Sequence, residues 1–361
     1  MDRVADDGAV TAESFDLGEF DRHRELHPDA AETAEADNRE PDANVGDDVC
    51  EGTGSSRRLA GTDSGIGLRR QYRIRMQSTQ EGRRSVSVST TDGRSGRTES
   101  TVSYRVAGGG PPVVLLHGIG LDAASVSWRH AVPALAEEFR VYAPDFPGHG
   151  DSDRPRVRYT HEFFLEVLES FLSTLDLEGA PLVGTSMGGG VALGYALEHG
   201  VERLALAGSY GLGRDAPWRP AASAFLRVPG AANGWWRSVG ATRSSVRAHL
   251  QGLTGGPPTD EHVRDVHDAV DAAAGRAMAS WQRSEFRHDG LRTCYLDRLS
   301  ALSAPTLFVH GTDDPLLPAS WSERAADRTG GDLELFEGCG HWPARERPER
   351  FNRTVRQFLG G

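Results

Sequence analysis

Lysine is absent: all 40 basic residues of this 361-residue chain are arginine. That excludes any Schiff-base or other lysine-dependent chemistry carried by a side chain. Cysteine is scarce. Cys50, Cys294 and Cys339 are odd in number and far apart, with no Cys-x-x-Cys pair, so neither a disulfide framework nor a zinc cage is expected. The chain has no run of about 18 apolar residues, so no membrane span is expected. Its first residues are acidic and contain no apolar core segment, so no signal peptide is read there and a cytoplasmic location is the default. There is no glycine-rich phosphate loop, metal-spaced His/Cys cluster or basic aromatic stripe. The expectation is therefore no cofactor, no metal and no nucleic-acid partner.

The charge that is present is uneven. The formal net charge is −12, and the first 65 residues hold 18 Asp/Glu against six Arg. The rest of the chain is balanced. The acidity thus belongs to the front of the sequence and says nothing about partners of the remainder. Residues 1–75 show no hydrophobic periodicity and are rich in Asp, Glu, Ala, Gly and Ser, the composition of an extension that buries too little apolar area to fold. The stretch Arg69 to Arg97 then turns basic and serine-rich, with Met76 at the seam. Two readings stay open here: Met76 is the biological start, or the acidic stretch is a genuine tail.

From about Ser85 the pattern becomes that of a folded domain. Ser85–Ser89 and Thr101–Val106 alternate, as in an edge hairpin. Val113–Leu116, Arg140–Ala143, Leu182–Val183, Leu204–Ala207, Thr306–Val309 and Leu333–Phe336 are short apolar runs, several of them continuous, as in strands covered on both faces. Helical stretches separate them, such as the one carrying Phe163, Val167, Leu168 and Phe171, and a last one runs from Pro348 to Leu359. This alternation predicts an α/β fold, a mostly parallel central sheet with helices on both faces. The rhythm breaks from Gly211 to Ser303, which has Gly-Pro joints, helical patterns and four of the seven tryptophans, Trp218, Trp235, Trp236 and Trp281. An insertion of this kind between two strands reads as a helical cap. The organisation is then residues 76–210 as the first part of the core, 211–303 as the cap and 304–361 as the second part.

Chemistry enters at Gly184-Thr185-Ser186-Met187-Gly188. The pentapeptide alone is a weak signal. Its setting, a strand before and a helix after, would force the serine out at the top of the sheet beside free backbone N–H groups. A serine hydroxyl needs a base, and the base needs an orienting acid. Two later motifs follow strand-like runs: His310-Gly311-Thr312-Asp313-Asp314-Pro315-Leu316-Leu317-Pro318, and Gly338-Cys339-Gly340-His341-Trp342-Pro343. The order is serine, aspartate, histidine.

These motifs resemble those of the α/β-hydrolase family, in the capped branch that includes carboxylesterases and meta-cleavage-product hydrolases. The nucleophile elbow is matched by Gly184 to Gly188, the acid loop by Gly311, Asp314 and Pro318, and the base loop by Gly340-His341. The oxyanion loop is matched by His117-Gly118-Ile119-Gly120, and the strand-4 turn by Asp145 to Ser152. The resemblance covers the chain from about residue 85 onward. It implies Ser186 as nucleophile, His341 as base, Asp314 rather than Asp313 as the orienting acid, and the backbone N–H groups of Ile119 and Met187 as oxyanion donors. His117 and His149 are read as loop-shaping residues and His310 as structural. Trp218, Trp235 and Trp342 are the candidate substrate contacts.

The implied partner is a small acyl substrate, cleaved through an acyl-enzyme. Carbon–carbon hydrolysis of a meta-cleavage-type diketo acid and acyl transfer are the alternatives. Relatives that break carbon–carbon bonds commonly carry an asparagine before the serine and a cap arginine for the substrate acid. Here Thr185 precedes the serine, and the sequence does not choose among Arg227, Arg237, Arg243, Arg247, Arg276 and Arg283. That departure favours ester hydrolysis.

Overall fold

Val113, Val114, Leu115 and Leu116 are all fully buried, because their strand is covered on both sides. Val113 and Leu115 join Val183 and Val309 on one face, while Val114 and Leu116 join Leu182, Leu206 and Phe308 on the other. Alternation along a strand sends successive side chains to opposite faces, so a continuous apolar run fits only a strand packed twice. The structure is a computed structural model that describes residues 81–92, 96–270 and 272–361. The readings of residues 1–75, Met76 and Cys50 lie outside the described residues.

Among the described residues, eight strands form one sheet. They are β1 (Gly82–Asp92), β2 (Gly96–Ala107), β3 (Pro112–Leu116), β4 (Arg140–Pro144), β5 (Leu182–Thr185), β6 (Leu204–Ala207), β7 (Thr306–Gly311) and β8 (Asp332–Phe336). Their order is β1-β2-β4-β3-β5-β6-β7-β8. β1 and β2 form the hairpin, with Ser85 opposite Ser103. β2 also runs antiparallel to β4, and every pair from β4 onward is parallel. Helices His161–Thr174, Ser186–His199 and Ala319–Thr329 cover one face through Phe164, Leu168, Val191 and Trp321. Helices Ala131–Leu135 and Pro348–Gly360 cover the other through Leu135, Phe351 and Val355. This is the two-faced, mostly parallel architecture that the alternation of runs predicts.

Local chemistry sets the helix starts. The Thr160 hydroxyl accepts from the Phe163 N–H and caps the helix His161–Thr174, whose apolar stripe faces the sheet. Between β6 and β7 the chain forms five α-helices among the described residues: Arg219–Leu226, Ala231–Val239, Arg243–Gln251, Asp260–Ala269 and Ala272–Glu285. Their buried side chains, Trp236, Val239, Leu250 and Val266 among them, pack on one another. They also pack on Leu121 and Trp342, which lie beyond the C-terminal ends of β3 and β8. The helical segment therefore sits at the edge of the sheet where the loops after the strands emerge. Among the described residues no helix is long and apolar enough to cross a membrane.

Candidate active site

Ser186 begins the helix Ser186–His199 directly after β5. Its φ is +51°, in the left-handed region, which costs a non-glycine residue about 1–3 kcal/mol. The turn is tight enough to exclude side chains on either side of the serine. A Cβ on Gly184 would lie 2.5 Å from the Gly188 carbonyl oxygen, and one on Gly188 would lie 2.3 Å from the His117 carbonyl oxygen. Glycine at both positions is what lets strand reverse into helix with the hydroxyl standing clear.

His341, in the loop after β8, places Nε2 3.0 Å from Ser186 Oγ and Nδ1 2.8 Å from Asp314 Oδ2. A carboxylate only accepts, so Nδ1–H donates to Asp314 and the serine hydroxyl donates to Nε2. Asp314 lies in the loop after β7 with its side chain fully buried. Its other oxygen, Oδ1, accepts from the N–H groups of Leu316 (2.8 Å) and Leu317 (3.1 Å). Burial alone would raise the Asp314 pKa, but the His341 charge and hydrogen bonds from His310 and His341 outweigh it and hold the group below the usual carboxylate range. Burial alone would lower the His341 pKa. The Asp314 charge and hydrogen bond outweigh it, and the net direction is upward. Asp313 is exposed and accepts from the Thr312 hydroxyl at 3.0 Å.

Backbone donors sit beside the serine. The Gly118 N–H donates to Asp122 Oδ2 (2.7 Å) and the Gly120 N–H to His149 Nε2 (3.1 Å). Between these two engaged amides, the Ile119 N–H meets no protein acceptor among the described residues. Met187 is in the first turn of its helix, where N–H groups have no carbonyl one turn back. His149 can accept because burial, then the nearby His117, push its pKa down to about 3 and keep it neutral. His117 accepts from the Phe146 N–H through Nε2 (2.9 Å) and donates through Nδ1 to the Gly118 carbonyl (2.7 Å). Both histidines thus hold loops.

Above Ser186 and His341 lies a cavity of about 430 Å³. Trp218, Trp235 and Trp342 all line it, and so do Trp236 and Trp281, which sequence reasoning did not single out for this role. The Trp218 indole N–H donates to the Leu316 carbonyl (2.6 Å), and that of Trp236 to Gln282 Oε1 (3.0 Å). Among the described residues no arginine lines the cavity, so none of the six candidate arginines reaches it. The Thr185 hydroxyl is turned to the Ala207 carbonyl (3.1 Å), away from any substrate.

Three supporting residues escaped the sequence reading. Asp122 fixes the loop after β3, accepting from Gly118 N–H and the Ser127 hydroxyl (2.6 Å). His310, read as structural, lies 3.3 Å through Nε2 from Asp314 Oδ2. Glu346 ties the histidine loop to the helical segment: Oε2 accepts from Gly340 N–H (3.0 Å) and Gly255 N–H (2.8 Å). Beside that bridge, the His341 N–H donates to the Leu253 carbonyl (2.9 Å). None of these partners is adjacent in sequence to what it supports. Two local signals were present: Asp122 stands four residues after Gly118, and His310 four residues before Asp314.

The chain is similar to known proteins. The family model described as the alpha/beta hydrolase fold matches residues 111–348. An uncharacterized protein of Mycobacterium tuberculosis (strain ATCC 25618 / H37Rv) is 33% identical over 275 residues, covering 71% of this chain and 77% of its own length. The 2-hydroxymuconate semialdehyde hydrolase of Pseudomonas sp. (strain CF600) is 32% identical over 267 residues, covering 70% of this chain and 88% of the relative. Two solved structures resemble the chain. One is a meta-cleavage product hydrolase from Pseudomonas fluorescens IP01, with a TM-score of 0.60, 28% identity, and 72% and 94% of the two chains covered. The other is a thermophilic esterase from Thermogutta terrifontis, with a TM-score of 0.59, 25% identity, and 77% and 98% covered.

Proposed function

The chain belongs to the α/β-hydrolase family, and from that premise we propose that it hydrolyses uncharged carboxylic esters or related acyl bonds through Ser186, His341 and Asp314. One observation carries the reading. The hydrogen-bonded series from Asp314 through His341 to Ser186 opens into a tryptophan-lined cavity that no arginine reaches among the described residues. A substrate carboxylate would enter that cavity without a cationic partner, and burying an unpaired charge is costly. The helical segment between β6 and β7 acts as the cap that forms the roof.

The chemistry follows from the geometry. Ser186 Oγ attacks the acyl carbon while its proton passes to His341 Nε2. The oxyanion accepts hydrogen bonds from the Ile119 and Met187 N–H groups, one such donor being worth about 10²–10³ in rate. The carbon–oxygen bond then breaks, and the leaving alcohol takes the proton from His341. Water, deprotonated by the same imidazole, releases the acid from Ser186. Asp314 stays ionised throughout and stabilises the imidazolium.

A fluorophosphonate probe followed by a panel of p-nitrophenyl esters tests this reading. Serine labelling with ester turnover is the expected result, and neither occurring would overturn it. Carbon–carbon hydrolysis of a diketo acid is the second reading. It is favoured by Trp342 directly after His341 and by the similarity to the 2-hydroxymuconate semialdehyde hydrolase. Faster turnover of a ring-fission product than of any ester would select it.

A further inference from the structure

The chain has a net charge of −12, yet residues 216–259 contain five arginines and no acidic residue. Arg243 and Arg247 pair with Asp268 and Asp260, which lie outside that stretch. Arg227 and Arg237 are exposed, on and just after the two helices Arg219–Leu226 and Ala231–Val239. The same helical hairpin holds all three large hydrophobic side chains that are exposed among the described residues: Phe225 (42% exposed), Val228 (56%) and Trp235 (51%). Phe225 and Trp235 meet edge to face, with centroids 6.4 Å apart. Trp235 also lines the cavity above Ser186. An aromatic tip flanked by arginines therefore stands at the wall of the acyl pocket.

We propose that this hairpin docks on an anionic lipid surface. Phe225, Val228 and Trp235 enter the headgroup layer, and Arg227 and Arg237 meet lipid phosphates. Aromatic and aliphatic side chains beside arginines are the composition of an interfacial helix. Each arginine near an anionic surface adds to the attraction, which fades within a screening length of about 8 Å at physiological salt. The local patch, not the net charge of the chain, sets the encounter. A second copy would bring the same arginines against themselves. The substrate consequence is that amphipathic esters pass from the lipid layer along Trp235 into the pocket. That consequence rests on the acyl-hydrolase reading; the docking does not.

The test is sedimentation of the full chain with phosphatidylcholine vesicles, with and without phosphatidylglycerol. Binding to the anionic vesicles that weakens at raised salt is expected. Phe225→Ser with Val228→Ser, and separately Arg227→Glu with Arg237→Glu, should each lower partition at least about tenfold. Both variants should keep the melting temperature and the turnover of a soluble acetate ester. Binding that ignores lipid charge, or that survives both variants, overturns the proposal. So does loss of self-association in the variants without loss of vesicle binding, which would assign the face to a second copy. If vesicles bind while Ser186→Ala leaves turnover of a vesicle-borne ester unchanged, the hydrolase reading fails and the docking stands. If soluble esters need Ser186 but vesicles do not bind, the docking fails alone.

Discussion

His310 Nε2 lies 3.3 Å from Asp314 Oδ2, the same oxygen that accepts from His341 Nδ1 at 2.8 Å. The Leu317 carbonyl 2.9 Å from His310 Nε2 accepts only, so that nitrogen carries a proton, and Nδ1 takes the Ser322 hydroxyl at 2.7 Å. His310 thus shares its proton between a carbonyl and the carboxylate. His310→Leu would leave the Asp314 charge less compensated and strengthen its hold on the His341 imidazolium. The acid limb of kcat/KM should move upward in pH, with kcat lowered by about tenfold. His310→Gln, which keeps an N–H donor, should restore the limb. A pH profile of the two variants reads this directly, and coincident limbs would leave His310 as packing alone.

The limb itself has a defined sign. His341 acts as base only when neutral, and its pKa is raised because the Asp314 interaction outweighs burial. Activity should therefore fall as pH drops through a value higher than that of an ordinary histidine. Asp314→Asn removes the charge and leaves burial, so the limb of the residual activity should move down. The same change should cost about 10⁴ in kcat through the wrong tautomer. The exposed Asp313 carboxylate accepts from the Thr312 hydroxyl and stands apart from His341, and Asp313→Asn should cost less than about threefold. Equal losses in the two variants would mean the acid is misassigned.

Ser186→Ala should abolish fluorophosphonate labelling and lower kcat by at least about 10⁴, with the melting temperature retained or raised. Alanine keeps the left-handed backbone at this position and removes only a half-buried hydroxyl that faces the cavity. Intact-mass analysis after probe treatment checks the site. Labelling that persists would place the nucleophile elsewhere.

The cavity of about 430 Å³ limits the acyl group. Trp218→Ala should extend the preferred p-nitrophenyl ester by several carbons and leave acetate turnover within about threefold, since small acyl groups do not need the far wall. A chain-length panel on the variant decides it. An unchanged profile would separate the roof from the pocket.

Much of the fold was legible because its signals are local. Val113–Leu116 is apolar without alternation, which fits only a strand packed on both faces, and Phe163, Val167, Leu168 and Phe171 recur at helical spacing. The grouping of Ser186, Asp314 and His341 was legible as an ordered set because each lies in a glycine-marked loop after a strand. What was not legible depends on packing at a distance. Trp236 and Trp281 reach the cavity through helix orientation. Glu346 meets the Gly255 N–H although the two are 91 residues apart in sequence. The strand order, with β4 between β2 and β3, follows from no single run.

The bond from His341 N–H to the Leu253 carbonyl, reinforced by Glu346 across Gly340 and Gly255, makes the roof and the base one mechanical piece at that end. A lid hinged there could not lift without dragging the imidazole off the serine. The other end is tied as well: Trp218 holds the Leu316 carbonyl in the Asp314 loop, so motion of the helical segment on that side pulls on Asp314 as motion at Leu253 pulls on His341.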